Sequence, residues 1–233
     1  MKLLVIPARG GSKRIPRKNI RPFHGRPIIG WSISAALECG VFDRVVVSTD
    51  DHEIGEIAKS LGAEVPFIRP AELSGDMAGT QGVVQHTIAW FANQGSAPTS
   101  VCCLYATAPF VMANDLRLGM RMLEESDADF VVPVTSFPYP IERALRVDAH
   151  GRVAMISPER ATARSQDLSE AFHDAGQFYC GTSTAWMDAV SVFRADTLAM
   201  QLPRYRVQDI DTMDDWKQAE LLFAAIQDAK AES

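Results

Sequence analysis

The sequence predicts an α/β fold: a mostly parallel sheet with helices on both faces, and a small β-rich excursion. Three observations predict it. Short apolar runs alternate with amphipathic helical stretches and short links from residue 1 to Val134. After Val134 that rhythm breaks into a stretch rich in Pro, Arg and Asp. The last part returns to one strand and a long terminal helix.

Taken in order, Leu3 to Ile6 is a short buried strand. The loop Pro7 to Asn19 follows, and then a helix over Ile28 to Leu37 that stops at Cys39-Gly40. Arg44 to Ser48 is the second strand. Asp50 or Asp51 caps the next helix, Glu53 to Leu61, which ends at Gly62. Ala63 to Phe67 reads as a third strand, Thr80 to Asn93 as a helix, and Ser100 to Tyr105 as a strongly apolar fourth strand. Asn114 to Glu125 is helical and Phe130 to Val134 is the fifth strand. Residues 135 to 175 form the excursion. Alternation around Arg143 to Val147 and Arg152 to Ile156 makes it a β-hairpin and a candidate dimerisation arm. Gly176 to Cys180 is again a strand, Thr182 to Val190 a helix, and Asp214 to Lys230 the last helix. The 233 residues suit a single domain with that excursion inserted.

Composition narrows the function classes. Hydrophobic residues make up 47% and charged residues 22%, enough for a full core. The net charge of −6 sets a basic loop inside an acidic protein, which favours local anion binding over nucleic-acid affinity. No stretch approaches the roughly 18 apolar residues of a membrane span, and residues 1 to 6 run into a strand with no secretory leader. Cys39, Cys102, Cys103 and Cys180 follow neither zinc nor disulfide spacing and read as buried thiols. The expectation is a cytoplasmic protein that binds neither nucleic acid nor membrane.

Three constellations carry the chemistry. The first is the loop itself: Ala8, Arg9, Gly10, Gly11, Ser12, Lys13, Arg14, Arg17, Lys18 and Asn19 hold five basic side chains, a glycine pair, a Ser and an Asn. Glycines let backbone approach a ligand, inward N–H groups cradle an anion, and Arg binds phosphate through two donors. A solvated basic face, an import tag or a nucleic-acid patch fits the basic run alone. Its place directly after a buried strand favours a polyphosphate site. Neither G-x-x-x-x-G-K-[ST] nor G-x-G-x-x-G is present.

The second is Asp209-Ile210-Asp211. Alternate residues of an extended segment point the same way, so the two carboxylates make a hard oxygen site suited to Mg²⁺. The competing reading has Asp211 capping the terminal helix and Asp209 solvated. The third lies in Arg164, Gln166, His173, Asp174 and Gln177, a crowd of charged and amide groups. It reads equally as a set of ligand contacts and as a salt-bridged surface.

The run Ile6-Pro-Ala-Arg-Gly-Gly-Ser-Lys-Arg-Ile-Pro-Arg-Lys-Asn19 resembles the nucleotide loop of the CMP-sialic acid synthetase family, cytidylyltransferases that act on nonulosonic acids. Ser48-Thr-Asp-Asp51, Arg69-Pro-Ala-Glu-Leu73, Ala106-Thr-Ala-Pro109 and Val207-Gln-Asp-Ile-Asp-Thr212 follow in family order, so the resemblance covers residues 1 to about 220. Arg164 to Tyr179 and Val101 to Phe110 look like the pseudaminic acid branch. Sialic acid synthetases carry a Gln-Pro-Thr-Ser-Pro type segment here, whose Gln approaches the sugar. Ala106 is taken to stand at that Gln, which implies a sugar other than N-acetylneuraminic acid.

The resemblance implies a Rossmann-like nucleotidyltransferase sheet, CTP and a nonulosonic acid as substrates, Mg²⁺ as cofactor, and a homodimer. It also implies roles. Arg9, Gly10, Gly11, Ser12, Lys13 and Lys18 meet the triphosphate, with Lys18 also acting in catalysis. Ala8, Arg9 and Asn19 surround the cytidine and ribose, and Arg69 and Thr80 reach the cytosine or hold its loop. Asp209 and Asp211 bind magnesium and act in catalysis. Arg164, Gln166, His173, Asp174 and Gln177 lie where the sugar contacts fall.

Overall fold

The computed structural model describes residues 1–75, 78–160, 164, 168–189 and 191–231. Its centre is β1 (Lys2–Pro7), whose four residues Leu3 to Ile6 are fully buried. A run apolar at every position is what a strand covered on both faces requires. β1 pairs in parallel with β4 (Arg44–Ser48) on one side and with β5 (Ser100–Leu104) on the other. Beyond β5 lie β10 (Phe178–Thr182), then β6 (Phe130–Ser136), then the edge strand β11 (Thr197–Gln201). β10 runs antiparallel between β5 and β6, while β11 is parallel to β6. β9 (Phe172–Asp174) also pairs antiparallel with β6. The sheet is therefore mostly parallel, with β10 and β9 reversed.

Alternate strand residues feed two cores. Leu4 and Ile6 pack with Ile29 and Ile33 of α1 (Ile29–Cys39), Ile54 of α2 (His52–Ser60), and Leu116 and Met120 of α4 (Ala113–Glu124). Leu3 and Val5 pack on the other face with Val84 and Ile88 of α3 (Thr80–Asn93) and Trp186 of α5 (Ser183–Met187). A third cluster joins α6 (Met213–Ala231), through Trp216 and Phe223, to Phe23 and Ile28 around the small β2–β3 ribbon (Pro22–Phe23, Arg26–Pro27). Ile15, Phe110 and Ile210 belong to the same cluster, which anchors the first loop beside the segment carrying Asp209 and Asp211.

Local signals behave as their chemistry dictates. α1 ends at Gly40 with φ 67, a left-handed stop that glycine takes without strain. Of the two candidate caps for α2, Asp51 is the one used: its carboxylate accepts from Ile54 N at 3.0 Å. Four differences stand out. Ala63–Phe67 is not a strand. Within it only Glu64 makes a bridge, to Val46, with a second from Ile68 just beyond it to Thr49, and Pro66 lacks the N–H that a ladder needs. The expected helix from Thr182 stops at Met187, and Ala189 already has φ 57. β11 is additional; only Met200 of its five residues is buried, so the pattern carries little strand signal. The fourth is β9, which returns the chain to the main sheet against β6; the expected hairpin of the excursion itself forms, as β7 (Leu145–Val147) with β8 (Val153–Met155).

Candidate active site

The cleft opens where β1 and β5 end, the place where an open α/β sheet receives ligands. Its volume is about 590 Å³, and its walls include Arg9, Ser12, Lys13, Arg14, Lys18, Asn19, Arg69, Thr80, Tyr105, Thr107, Asp209 and Asp211. A smaller cavity of about 290 Å³ behind Phe110, where Arg26 lies 3.5 Å over the Trp31 ring, contains none of the expected site residues.

The loop is tied down at both ends. Ala8 N donates to Ser48 O at 3.0 Å, Gly10 N donates to Asp50 Oδ1 at 3.0 Å, and Asn19 Nδ2 donates to Arg9 O at 2.9 Å. A Cβ on residue 10 would sit 2.6 Å from Asp51 Oδ2, so only glycine permits this approach. Ala8 is buried, and it, Gly10 and Gly11 shape the loop through backbone rather than lining the cleft with side chains.

Arg17 turns away from the cleft. Its backbone is left-handed (φ 55, ψ 31), and its guanidinium bonds Asp51 at 2.5 and 3.2 Å and also reaches Glu53. That hydrogen-bonded cation holds the Asp51 carboxyl below its ordinary range, against the opposing effect of burial.

Arg69 is only 5% exposed, with Asp50 at 3.6 Å, and its Nε and Nη2 have no hydrogen-bond partner. Burial lowers its pKa from the ordinary guanidinium value, partly countered by Asp50. Unpartnered buried donors on a cleft wall are suited to a ligand's acceptors.

Ile210 is fully buried, so Asp209 and Asp211 on either side of it both face the cleft. Asp211 meets Arg14 at 2.9 Å and Lys18 at 3.4 Å. It does not cap α6. Thr212 and Asp215 do so reciprocally: Thr212 N donates to Asp215 Oδ2 at 2.7 Å, and Asp215 N donates to Thr212 Oγ1 at 3.2 Å. Asp209 keeps an exposed edge, yet desolvation of its carboxyl at the cleft wall, and then the Asp211 charge, push it above the ordinary carboxylate value.

Among the described residues, Arg164, His173, Asp174 and Gln177 are not among those that line the cleft. Gln166 lies outside the described residues, and Arg164 is exposed. His173 Nδ1 pairs with Asp174 O at 2.8 Å, and its ring packs on Phe137 with centroids 4.9 Å apart. Asp174 accepts from Gly176 N at 2.9 Å and from the Tyr179 hydroxyl. Gln177 is buried, with Nε2 donating to Arg206 O at 2.6 Å.

The cleft holds residues that the sequence reading passed over, above all Tyr105 and Thr107. The apolar pattern places Tyr105 within the fourth strand, whereas β5 ends at Leu104. Its place just past the end of β5, beside β1, is the signal that identifies it. Ala106 is buried at 3% exposure.

A parallel sheet with a tied glycine loop after β1, facing two carboxylates, defines a nucleotide-handling α/β protein. The fold is shared with a CMP:2-keto-3-deoxy-manno-octonic acid synthetase solved with CTP, at a TM-score of 0.70 and 15% identity over 96% of this chain and 98% of that one. A family model described as cytidylyltransferase matches residues 3–186. The pseudaminic acid cytidylyltransferase of Campylobacter jejuni subsp. jejuni serotype O:23/36 (strain 81-176) is 45% identical over 95% of each chain. The CMP-N,N'-diacetyllegionaminic acid synthase of Legionella pneumophila is 30% identical over 97% of this chain and 98% of its own. The chain belongs to the cytidylyltransferase family, and with it to the nucleotidyltransferases.

Proposed function

We propose that this protein transfers CMP from CTP to the anomeric hydroxyl of pseudaminic acid. The hydroxyl oxygen bonds to the α-phosphorus, the bond from that phosphorus to the oxygen bridging to the β-phosphate breaks, and pyrophosphate and a proton leave. The observation that carries the reading is the convergence of Arg14 and Lys18 on Asp211 across a cleft at the end of β1. The 45% identity to proteins named for this activity supports the choice of sugar.

In this reading Arg9, Ser12, Lys13 and Lys18 hold the triphosphate, and Lys18 offsets charge as it grows on the leaving oxygen. Asn19 and the backbone of Ala8 and Arg9 border the nucleoside. Arg69 offers its unpartnered donors to cytosine, beside Thr80 at the head of α3. Asp209 and Asp211 fit Mg²⁺: two carboxylates of like charge crowd one wall, and magnesium takes one or two carboxylates with substrate phosphates. When bound there, Mg²⁺ would neutralise phosphate oxygens. Positioning and electrostatics, rather than covalent catalysis, supply the rate.

The protein acts as a homodimer in this reading. Leu145, Val147 and Val153 of the β7–β8 hairpin are 57, 63 and 61% exposed, a patch suited to a second copy. Among the described residues no helix is long and apolar enough to cross a membrane, and the four cysteines are free and buried, in keeping with a cytoplasmic setting.

The test is pyrophosphate release with CTP and Mg²⁺, offering pseudaminic acid and N-acetylneuraminic acid separately. Turnover with pseudaminic acid is expected. Turnover with N-acetylneuraminic acid alone keeps the reaction and removes the sugar assignment; turnover with UTP or ATP in place of CTP removes the nucleotide.

A further inference from the structure

Asp211 already carries two cations, one on each carboxylate oxygen. Arg14 Nη2 lies 2.9 Å from Oδ2, and Lys18 Nζ lies 3.4 Å from Oδ1. The backbone on both sides of this contact is fixed. Ile15 beside Arg14 and Ile210 beside Asp211 are fully buried in one apolar cluster, and Asp211 N donates to Asp215 Oδ2 at 3.1 Å. Any rearrangement therefore belongs to the side chains, and the two cations are not equivalent. The Lys18 side chain is 18% exposed and held in the cleft wall, whereas that of Arg14 is 65% exposed and free to rotate through solvent. Arg14 lines the same cleft as Arg9, Ser12 and Lys13, the residues assigned above to the triphosphate.

Charge decides what Arg14 does. When ionised, Asp209 and Asp211 carry two negative charges, and Arg14 and Lys18 on the same wall bring two positive ones. A divalent cation that takes Asp211 must displace one of them or sit beside both, and like charges at that range repel. The triphosphate offers Arg14 another partner, because a guanidinium binds phosphate oxygens through two donors. We propose that Arg14 is a positioning residue: it keeps Asp211 from Mg²⁺ until the triphosphate draws it away, so that metal and nucleotide bind cooperatively. The change is an exchange of ion pairs. Arg14 passes from the Asp211 carboxylate to a phosphate oxygen, Lys18 stays in the wall, and one Asp211 oxygen becomes available to the metal. Metal and nucleotide then raise each other's affinity by the same factor. This rests on the cleft taking CTP, and on Asp209 and Asp211 taking Mg²⁺, as proposed above.

Arg14→Gln tests it by removing the charge and keeping a polar side chain. The position is mostly exposed, so the melting temperature should not move. Mn²⁺ serves as the probe, because its free ion is counted by electron paramagnetic resonance. Without nucleotide, the Gln variant should bind Mn²⁺ about fivefold more tightly than wild type, a factor in keeping with one exposed ion pair. CTP, titrated by calorimetry in the presence of Mg²⁺, should bind about fivefold more weakly, because a phosphate partner is gone. These opposite signs are the signature, since a side chain that merely supported the loop would weaken both. Arg14→Lys retains a cation and should stay within about twofold of wild type in both titrations. An Mn²⁺ affinity that is unchanged or lower in Arg14→Gln overturns the proposal, and so does unaltered CTP binding. A Lys variant that behaves like the Gln variant overturns it as well, because charge is then not the cause. A wild-type enzyme that binds CTP but has no Mn²⁺ site sensitive to Asp211→Asn is a different failure: it removes the metal assignment beneath the proposal, and the proposal with it.

Discussion

Arg17 offers a way to separate loop order from loop chemistry, because two energies oppose each other at one residue. The left-handed backbone costs a non-glycine residue about 1–2 kcal/mol. The bridge to Asp51 and Glu53 repays part of that. With side-chain exposures of 39% for Arg17 and 21% for Asp51, such a pair contributes on the order of 0.2–1 kcal/mol, toward the upper end for a guanidinium that contacts both oxygens. Arg17→Gly removes both terms and adds a glycine's extra unfolded-state entropy of about 0.5–1 kcal/mol. Global stability should therefore move by no more than about 1 kcal/mol. Arg17→Ala keeps the backbone strain and loses the bridge, so it should be the less stable of the two. Binding should not show this cancellation. Without the bridge, Asp51 no longer fixes the turn packed against Gly10, and CTP must order the loop itself. KM for CTP should rise about tenfold in both variants, a factor worth about 1.4 kcal/mol. Urea titrations read the stability and pyrophosphate release reads KM. A KM for CTP unchanged in Arg17→Gly, or a Gly variant less stable than the Ala variant, would refute the latch. Arg17 holds the Asp51 carboxyl below its ordinary range. The stability from that pairing is thus fully present above about pH 4 and is lost as pH falls through the lowered value.

Asp211→Asn should lower kcat by about a hundredfold to a thousandfold, as for loss of one preorganised electrostatic group, while a circular-dichroism melt stays in place; near-normal turnover would detach Asp211 from the reaction. His86 packs on Phe67 with ring centroids 4.7 Å apart and has an unpartnered Nδ1. Burial lowers its pKa, the nearby Arg69 charge adds to that, and Glu72 opposes it. Its contribution to stability is therefore present above the unfolded value of about 6.5 and lost as pH falls through the lower folded value. His86→Phe should flatten the loss of stability between pH 7 and 5, measured by urea unfolding at each pH; an unaltered slope would place that titration elsewhere. Leu145→Asp with Val153→Asp should give a monomer by light scattering, and a dimer that persists would free the hairpin from the interface.

The two halves of the cleft differ in how far the chain announces them. The nucleotide half follows from one strand and what comes directly after it. Leu3 to Ile6 is apolar at every position, so it is buried on both faces, and the glycines and cations that follow have nowhere to go but the sheet's edge. Even there, composition treats the five cations alike, and only folding sorts them. A left-handed Arg17 swings back onto α2, while Arg14 and Lys18 face Asp211. The other half depends on which strand lies beside which. Gly176 to Cys180 reads as a strand in either direction. Only the antiparallel insertion of β10 between β5 and β6 brings Tyr179 under Tyr105 and Asp174 under Tyr179. Period and turn chemistry are properties of neighbours in sequence, and they survived in β1, α1 and the cap of α2. Strand order is a relation across about seventy residues, and no local pattern encodes it. Tyr105 and Tyr179 thus meet edge to face through long-range pairing, which no local pattern in the chain announces.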